Sequence, residues 1–170
     1  EQWSISRTDA VGVAIISSGR RLLIAPHESS LPWSAVSGAG GAITTTSKAT
    51  ADVDYAGQSN TSKIVTSSAF AEDGDGYAPG YCATYSNGGL TAGSWWLPSL
   101  GELGLIYEKF SAINAALAKI NGATKLERGP YHSSTEFSAT HVWTLFFQSG
   151  FRGSSTKTTG KYRVRPVTSF

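Results

Sequence analysis

The sequence is poor in cysteine and lacks methionine altogether. Cys82 is the only cysteine among 170 residues, so no disulfide can form within the chain. The fold must therefore rest on its core, as in proteins that fold in a reducing cytoplasm. Because the chain starts at Glu1 and has no methionine, we expect that it is processed or cut from a longer protein. Its length is sufficient for a single domain spanning residues 1–170.

Charge is also scarce. Charged residues make up 15% of the chain and the net charge is +2, which is too small to favour nucleic acid or an anionic membrane as a partner. No apolar run is long enough to cross a membrane, so membrane insertion is not expected. Serine, threonine and glycine are plentiful instead. Such a composition is typical of extracellular and virion surface proteins.

Motifs that carry chemistry are missing as well. The sequence contains no G-x-S-x-G, H-E-x-x-H, P-loop or G-x-G-x-x-G motif, so we predict no catalytic residue, no cofactor and no metal. Asp73-Gly74-Asp75-Gly76 is similar to part of a calcium loop, but Thr84 stands where the closing glutamate belongs, which favours a polar turn. His141 is expected to be a contact or a solvated residue, and Cys82 a buried, inert one.

The first half of the chain begins with strand patterns. Two β-rich runs, Val11–Ser17 and Arg21–Ala25, are joined by Ser18-Gly19, which predicts a hairpin. From His27 to Tyr55 the pattern gives way to small polar residues with Trp33 as the one large anchor. This segment is expected to be a long loop or a few short strands packed by their own side chains.

The middle of the chain carries helix patterns. A first helix is predicted over Asn60–Ser68, with Asn60 as its N-cap, and a second over Ala78–Tyr85. Ser99 and Glu102 form a capping box, which is the strongest helix signal in the sequence. Apolar residues follow at helical spacing, with a break expected near Phe110: Leu100, Leu103, Ile106, Phe110, Ile113, Leu117 and Ile120.

The stretch from Tyr131 to Val167 has the most unusual composition. Between its ends nearly half the residues are serine, threonine or glycine, with large aromatic residues among them, which suits contact with a ligand. Residues 141–148 alternate, so one face is predicted to point inward and the other outward. The inward set is Trp143, Leu145 and Phe147, and the outward set is Val142, Thr144, Phe146 and Gln148.

The rest of this stretch predicts a loop or irregular hairpin over Phe151–Gly160 and a final strand over Tyr162–Val167. Strands at both ends and helices in the middle predict an α+β domain.

Five motifs carry a resemblance to a known family. They are N-T-x-x-I at Asn60–Ile64, G-Y-C at Gly80–Cys82, W-x-L-P-S-x-x-E at Trp95–Glu102, S-S-T-E at Ser133–Glu136 and R-V-R-P-V at Arg163–Val167. In their order and spacing the chain resembles the variable proteins of diversity-generating retroelements. The resemblance is to the gut Bacteroidales and phage type, which has a C-type-lectin-like fold and is related to the Lcl C-terminal family.

The resemblance implies a fold and a diversified window. The fold would have two helical segments packed on an antiparallel sheet, with the N- and C-terminal strands close together. In such proteins a reverse transcriptase rewrites adenines in AAC or AAT codons, here within residues 137–162. Those codons cannot yield Gln, Glu, Lys, Met or Trp. The resemblance therefore implies that Trp143, Gln148, Lys157 and Lys161 are fixed.

Two sets of residues follow from the resemblance. The scaffold set is Ser133, Ser134, Glu136, Trp143, Gly150, Arg163 and Arg165, with the two arginines expected at the surface or paired. Tyr162 and Arg152 are left outside the binding set. The candidate ligand-binding set is Phe137, Ala139, Thr140, His141, Thr144, Phe146, Phe151, Gly153, Ser155, Thr156, Thr158 and Thr159. The disulfides and calcium-binding triplets of vertebrate C-type lectins are absent, so calcium-dependent sugar binding is not implied.

The leading hypothesis is a non-catalytic, hypervariable ligand- or receptor-binding protein. Its partner would be a protein or a glycan on a cell surface, and it would itself sit on a virion tail or on the bacterial surface. Homo-oligomerisation through upstream regions is compatible with this hypothesis. The alternative is a fixed bacterial adhesin or carbohydrate-binding module of the same fold. An enzyme on this fold is the third and least favoured hypothesis.

Overall fold

The first two strands and the last strand of the described chain form one small sheet. In a computed structural model that describes residues 9–170, β1 (Val13–Ser17) and β2 (Arg20–Ile24) form an antiparallel hairpin. Ser18 and Gly19 have φ values of 49° and 73°, the left-handed conformation that a two-residue hairpin turn requires. The other edge of β2 pairs with β8 (Val167–Thr168), so the predicted proximity of the terminal strands is confirmed.

A second, larger sheet contains the other five strands. In space their order is β3-β7-β4-β5-β6, and all neighbours are antiparallel except β4 and β7. The strands are β3 (Ser29–Leu31), β4 (Pro130–Glu136), β5 (His141–Phe146), β6 (Phe151–Thr156) and β7 (Tyr162–Val164). The predicted final strand is thus divided between two sheets, because Arg165 and Pro166 separate β7 from β8.

Helices lie between β3 and β4 along the chain, which confirms the α+β class. They are α1 (Lys48–Asp52), α2 (Gly57–Thr66), α3 (Ala78–Thr84), α4 (Leu100–Glu108) and α5 (Phe110–Leu117), with a 3-10 turn at Gly74–Gly76. The polar turn predicted around Asp73 is therefore present. The segment from His27 to Tyr55 is not only loop, because β3 and α1 form within it.

The start of the first predicted helix is wrong by three residues. Helix α2 begins at Gly57 after Ala56, so Asn60 lies inside the helix and is not its N-cap. The Asn60 side chain instead donates a hydrogen bond to Asp54 Oδ2 at 2.8 Å. Asparagine is frequent both at N-caps and in buried polar networks, and its position along the sequence does not separate the two.

The capping box before α4 is confirmed. Ser99 Oγ accepts a hydrogen bond from the Glu102 amide at 3.5 Å, and Glu102 Oε2 accepts one from the Ser99 amide at 2.9 Å. The expected break is present at Lys109, whose ψ of 12° ends α4 before α5 begins. The apolar face of α4 packs on the inner face of the large sheet, where Trp143 and Leu145 lie, and α5 packs against β1 in the same core.

A second core covers part of the opposite face of the large sheet. Trp33, Ile64 and Phe70 pack there against Val142 and Val164, all of them buried. The prediction that Val142 and Thr144 face outward is therefore wrong. Alternation along β5 indicates two faces correctly, but the loop that carries Trp33 folds over the second one.

Candidate functional site

The hairpin of β5 and β6 forms the body of the candidate site. Its register runs without a break from His141 opposite Thr156 to Phe146 opposite Phe151. Residues 151–156 are thus a regular strand and not a loop or an irregular hairpin. Strand β6 lies at the edge of the sheet, so pairing with one neighbour holds it, and no alternating apolar pattern is needed to bury it.

The hairpin rests on polar residues that have no contact with solvent. Ser133 Oγ donates to the carbonyl of Trp143 at 2.7 Å, and Thr135 Oγ1 donates to Asp54 Oδ2 at 2.7 Å. Thr135 Oγ1 also accepts the amide of Leu100 at 2.9 Å. The S-S-T-E motif therefore bonds the backbone through the hydroxyl groups of Ser133 and Thr135. The backbone amide of Ser134 donates a hydrogen bond to the carbonyl of Pro98 at 2.9 Å. The Ser134 hydroxyl is buried and has no hydrogen-bond partner among the described residues.

A buried ion pair lies beneath the same hairpin. Lys157 Nζ contacts the carboxylate of Glu136 and donates to the carbonyl of Gly38 at 2.7 Å, and both side chains are fully buried. Nζ also lies 4.7 Å from the centroid of the Trp33 ring. Burial lowers the pKa of Lys157, and the Glu136 carboxylate opposes this shift. Together, Ser133, Thr135, Glu136 and Lys157 are called the buried support below.

One end of the hairpin exposes small polar side chains. The amide of Lys157 donates to the carbonyl of Thr140 at 3.0 Å and so joins the two turns at this end. Thr140 Oγ1 bonds His141 Nδ1 at 2.8 Å, and Thr156 Oγ1 bonds Thr159 Oγ1 at 2.5 Å. The following exposed or half-buried residues, all in the candidate binding set, are called the polar end: Ala139, Thr140, His141, Thr156, Thr158 and Thr159.

The other end of the hairpin exposes aromatic rings. Phe151 is 62% exposed, and its ring centroid lies 5.8 Å from that of Phe146, which lies 6.4 Å from that of Tyr162. A Cβ at Gly153 would lie 2.9 Å from the Phe151 ring and 3.2 Å from the Phe146 ring, so glycine permits this packing. Phe146, Phe151, Gly153 and Tyr162 are called the aromatic end below. Tyr162 was left outside the predicted set.

His132 lies behind the aromatic end and was missed by the sequence analysis. Its ring centroid is 5.1 Å from that of Tyr162. Its Nε2 bonds the carbonyls of Gly160 at 2.9 Å and Leu31 at 3.2 Å, so Nε2 carries the proton. Burial lowers the pKa of His132 to about 4. The neutral imidazole therefore acts as a fixed link between β4, β3 and the turn that precedes β7.

Three members of the candidate binding set do not lie on the open surface. Thr144 is fully buried and shares a 2.6 Å hydrogen bond with Ser155, which is itself buried. Both side chains lie on the face of the sheet that carries the second core. Phe137 is half-buried and packs edge-to-face on Trp143, with ring centroids 5.1 Å apart. The prediction that Thr144 faces outward is wrong. Ser155 exposes little of its side chain to solvent, and Phe137 exposes only part of its ring.

The arginines near the hairpin are paired. Arg165 is fully buried and donates to Glu28 Oε2 at 2.7 Å, whereas Arg163 reaches Glu28 at 3.3 Å and Glu127 at 2.5 Å. Of the two predicted alternatives, a surface position or an ion pair, the ion pair is confirmed for both arginines. Arg165 is not at the surface. Arg152 Nε donates to Asp52 Oδ1 at 3.1 Å, which ties β6 to α1.

The remaining scaffold residues have structural contacts. Trp143 Nε1 donates to the carbonyl of Thr45 at 2.7 Å. Gly150 has a φ of 74°, and a Cβ there would lie 2.9 Å from the Tyr107 ring, so both conformation and space require glycine. Cys82 is buried as predicted, and burial raises the pKa of its thiol well above the ordinary value.

Residues 9–170 contain neither a cluster of metal-ligating side chains nor a membrane-spanning helix. No group of three or more histidine, cysteine, aspartate or glutamate side chains comes together there in a way that could hold a metal ion. Within the same range, no helix combines the length and the apolar character needed to cross a membrane.

Comparison with known proteins gives a likeness in fold. No family model matches the sequence, and no curated protein matches it either. The structure is similar to a fimbrial protein from Bacteroides ovatus, with a TM-score of 0.68 and 16% sequence identity. The similarity covers 88% of this chain but 35% of the fimbrial protein. At this identity the likeness concerns the fold alone.

Proposed function

We propose that this chain is a non-catalytic binding protein displayed on a surface, and that it contacts its ligand through the aromatic end and the polar end. The observation that carries the proposal is the aromatic end, where Phe151 is 62% exposed beside Phe146 and Tyr162. Phe146 and Tyr162 are half-buried, and a contiguous apolar patch that remains open to water marks an interaction site. Aromatic residues also dominate the energy of binding interfaces.

The buried support favours this function because it keeps the hairpin rigid. The Ser133–Trp143 hydrogen bond holds β5, and the Lys157–Glu136 pair holds the end of β6. Side chains that are already ordered lose less conformational entropy when a ligand binds. The short hydroxyl contacts of the polar end act in the same direction.

Surface display is supported by the fimbrial protein of similar fold and by the composition of the chain. Within this proposal, the fold is of the C-type-lectin-like kind. The junction of the terminal strands in one sheet is the feature in favour. The ligand would be a protein or a glycan on a cell surface.

Diversification by a retroelement is the finer form of the proposal. It is supported by the placement of Trp143 and Lys157, which adenine replacement could not have produced and which serve as buried scaffold. It is also supported by the exposure of Phe151, Thr156, Thr158 and Thr159, where rewriting would change the surface without disturbing the core.

A fixed adhesin or carbohydrate-binding module of the same fold is the second candidate. The observation in its favour is the buried hydrogen bond between Thr144 and Ser155, since free rewriting at either position would leave a buried hydroxyl unpaired. Deep sequencing of the 3′ end of the gene in its source community separates the two candidates. Variation concentrated in residues 137–162 favours the diversified binder, and constancy there favours the fixed adhesin.

Binding by the aromatic end is tested with fluorescently labelled protein on a panel of gut bacterial cells, read by flow cytometry. We expect Phe151→Ser to weaken cell binding by about tenfold or more, as for a central aromatic contact. Phe170→Ser is the matched control, because Phe170 is also an exposed phenylalanine, at 47%, and lies outside the hairpin. Equal binding by the unchanged protein and Phe151→Ser would remove the proposed role of the aromatic end.

A further inference from the structure

A separate cavity lies away from the β5–β6 hairpin. It has a volume of about 400 Å³ and opens between β2, the start of α2 and the start of α4. Its lining combines charged, amide, hydroxyl and aromatic groups: Arg20, Tyr55, Gln58, Ser59, Trp96 and Glu102. A volume at the low end of the range for ligand pockets suits one small molecule and not a polymer.

Glu102 is the buried carboxyl group of this cavity, and burial raises its pKa to about 7. The residue is 5% exposed, and its Oε2 accepts the Ser99 amide at 2.9 Å and the Trp96 indole N–H at 3.2 Å. Over residues 9–170 no hydrogen bond reaches its other oxygen, Oε1. Because Glu102 lines the cavity and has one unpaired oxygen, it can accept a hydrogen bond from a hydroxyl group of a ligand.

Arg20 supplies the opposite charge. Its guanidinium carbon lies 3.7 Å from the centroid of the Tyr55 ring. In the described part of the chain Arg20 forms no ion pair with any carboxylate. A guanidinium stacked on an aromatic ring keeps its N–H edge available, and that edge matches a carboxylate in two hydrogen bonds.

These two groups together restrict the ligand. A plain anion without hydroxyl groups would satisfy Arg20 but would leave Glu102 Oε1 without a partner. A neutral alcohol would satisfy Glu102 and leave Arg20 unused. We propose that the cavity binds a small hydroxylated carboxylic acid of the hexuronic acid type, with its carboxylate on Arg20 and a ring hydroxyl donating to Glu102 Oε1. This site uses none of the residues of the aromatic or polar end and does not depend on their function.

The test is an NMR titration of the whole ¹⁵N-labelled chain. The Trp96 indole N–H reports on the cavity because it donates to Glu102, and Trp96→Phe assigns its signal. The probes are D-galacturonate, D-galactose, which lacks the carboxylate, and inorganic phosphate, which lacks the sugar hydroxyls. We expect a saturable shift with galacturonate and a much weaker effect from the other two. An equal response to phosphate, or no saturable response to galacturonate, would overturn the proposal.

Variants complete the test, and each spectrum also reports whether the variant is folded. Arg20→Ala should weaken galacturonate binding by about fivefold, as expected when the exposed partner of a charged contact is removed. Glu102→Gln should weaken it less, because the amide still accepts the Ser99 N–H. Arg128→Ala is the matched control, since Arg128 also stacks on a ring, 5.1 Å from the Phe110 centroid, outside the cavity. Unchanged binding in folded Arg20→Ala, or equal losses in both arginine variants, would contradict the assignment.

Discussion

The buried support and the two exposed ends belong to the same few strands. In most proteins polar side chains face solvent and apolar ones are buried, but here polar side chains form the support and an aromatic ring faces solvent. Beneath the hairpin, Thr135, Glu136 and Lys157 are buried, and each of these three side chains has a partner. At its tip, Phe151 faces solvent. Burying polar groups is tolerated when every one is satisfied, and exposing rings is useful when a partner covers them. The difference indicates that the support sets stability and the ends set binding.

The largest effect on this comparison is expected from the buried ion pair. Lys157→Ala leaves the Glu136 carboxylate buried without its cation, so we expect a loss of about 3–5 kcal/mol in the free energy of unfolding. Denaturation with urea measures it. Lys161→Ala, four residues away and exposed, is the control and should change stability by less than about 0.5 kcal/mol. If both variants lose the same small amount, the pair does not belong to the support.

The next effect is a dependence on pH that comes from His132. Burial lowers its pKa to about 4 from an ordinary value of 6.5. The unfolded chain therefore takes up a proton below pH 6.5 while the folded protein does not. The protein therefore loses stability as pH falls from 6.5 to about 4, by about 3 kcal/mol in total, and no further loss from His132 is expected below about pH 4.

His132→Gln tests this dependence, because glutamine can still donate to the Gly160 carbonyl but does not titrate. We expect urea unfolding of the variant to lose less stability between pH 6.5 and pH 4.5 than that of the unchanged protein. Parallel pH curves for the two proteins would show that His132 takes no part in acid sensitivity.

A smaller effect is expected from the neutral part of the support. Thr135→Val removes the hydroxyl that donates to Asp54 and accepts the Leu100 amide, so we expect a loss of about 2 kcal/mol. Thr158→Val makes the same change at an exposed residue and should leave the unfolding midpoint almost unchanged. Equal midpoints for the two valine variants would mean that Thr135 is not needed to hold β4 against α4.

The smallest effect on stability is expected at the aromatic end. Phe151→Ser removes one cross-strand ring contact with Phe146, worth about 0.5 kcal/mol, while it removes the most exposed ring from the proposed binding surface. Thermal unfolding should therefore hardly distinguish this variant from the unchanged protein, although cell binding falls. A large drop in melting temperature would place Phe151 in the support and end the distinction between the two regions.

Local signals in the sequence predicted the elements well. The Ser99–Glu102 capping box, the Ser18-Gly19 turn and the helix break beside Phe110 all depend on neighbouring residues, and all are present. The burial of Trp143 and Leu145 also followed from alternation within one strand. Such features need no knowledge of distant parts of the chain.

The errors arose where distant segments meet. Thr144 is buried because a loop more than one hundred residues earlier in the chain, around Trp33, covers that face of the sheet. Arg165 is buried because Glu28 and two carbonyl groups receive its guanidinium. The role of Lys157 depends on Glu136 and Gly38 in the same way. No short-range pattern in the sequence predicts these long-range contacts. Which residues of the candidate site are exposed could therefore be determined only from the structure.

The most direct test of the central claim is a mutational scan of residues 137–162 with two readouts, surface display as a measure of folding and cell binding. We predict that substitutions at Thr144, Ser155 and Lys157 reduce display. Substitutions at Phe151, Thr158 and Thr159 should leave display intact and reduce or redirect binding. If changes at these exposed residues leave binding untouched, or if they reduce display as much as changes at Lys157, the division between support and binding surface is contradicted.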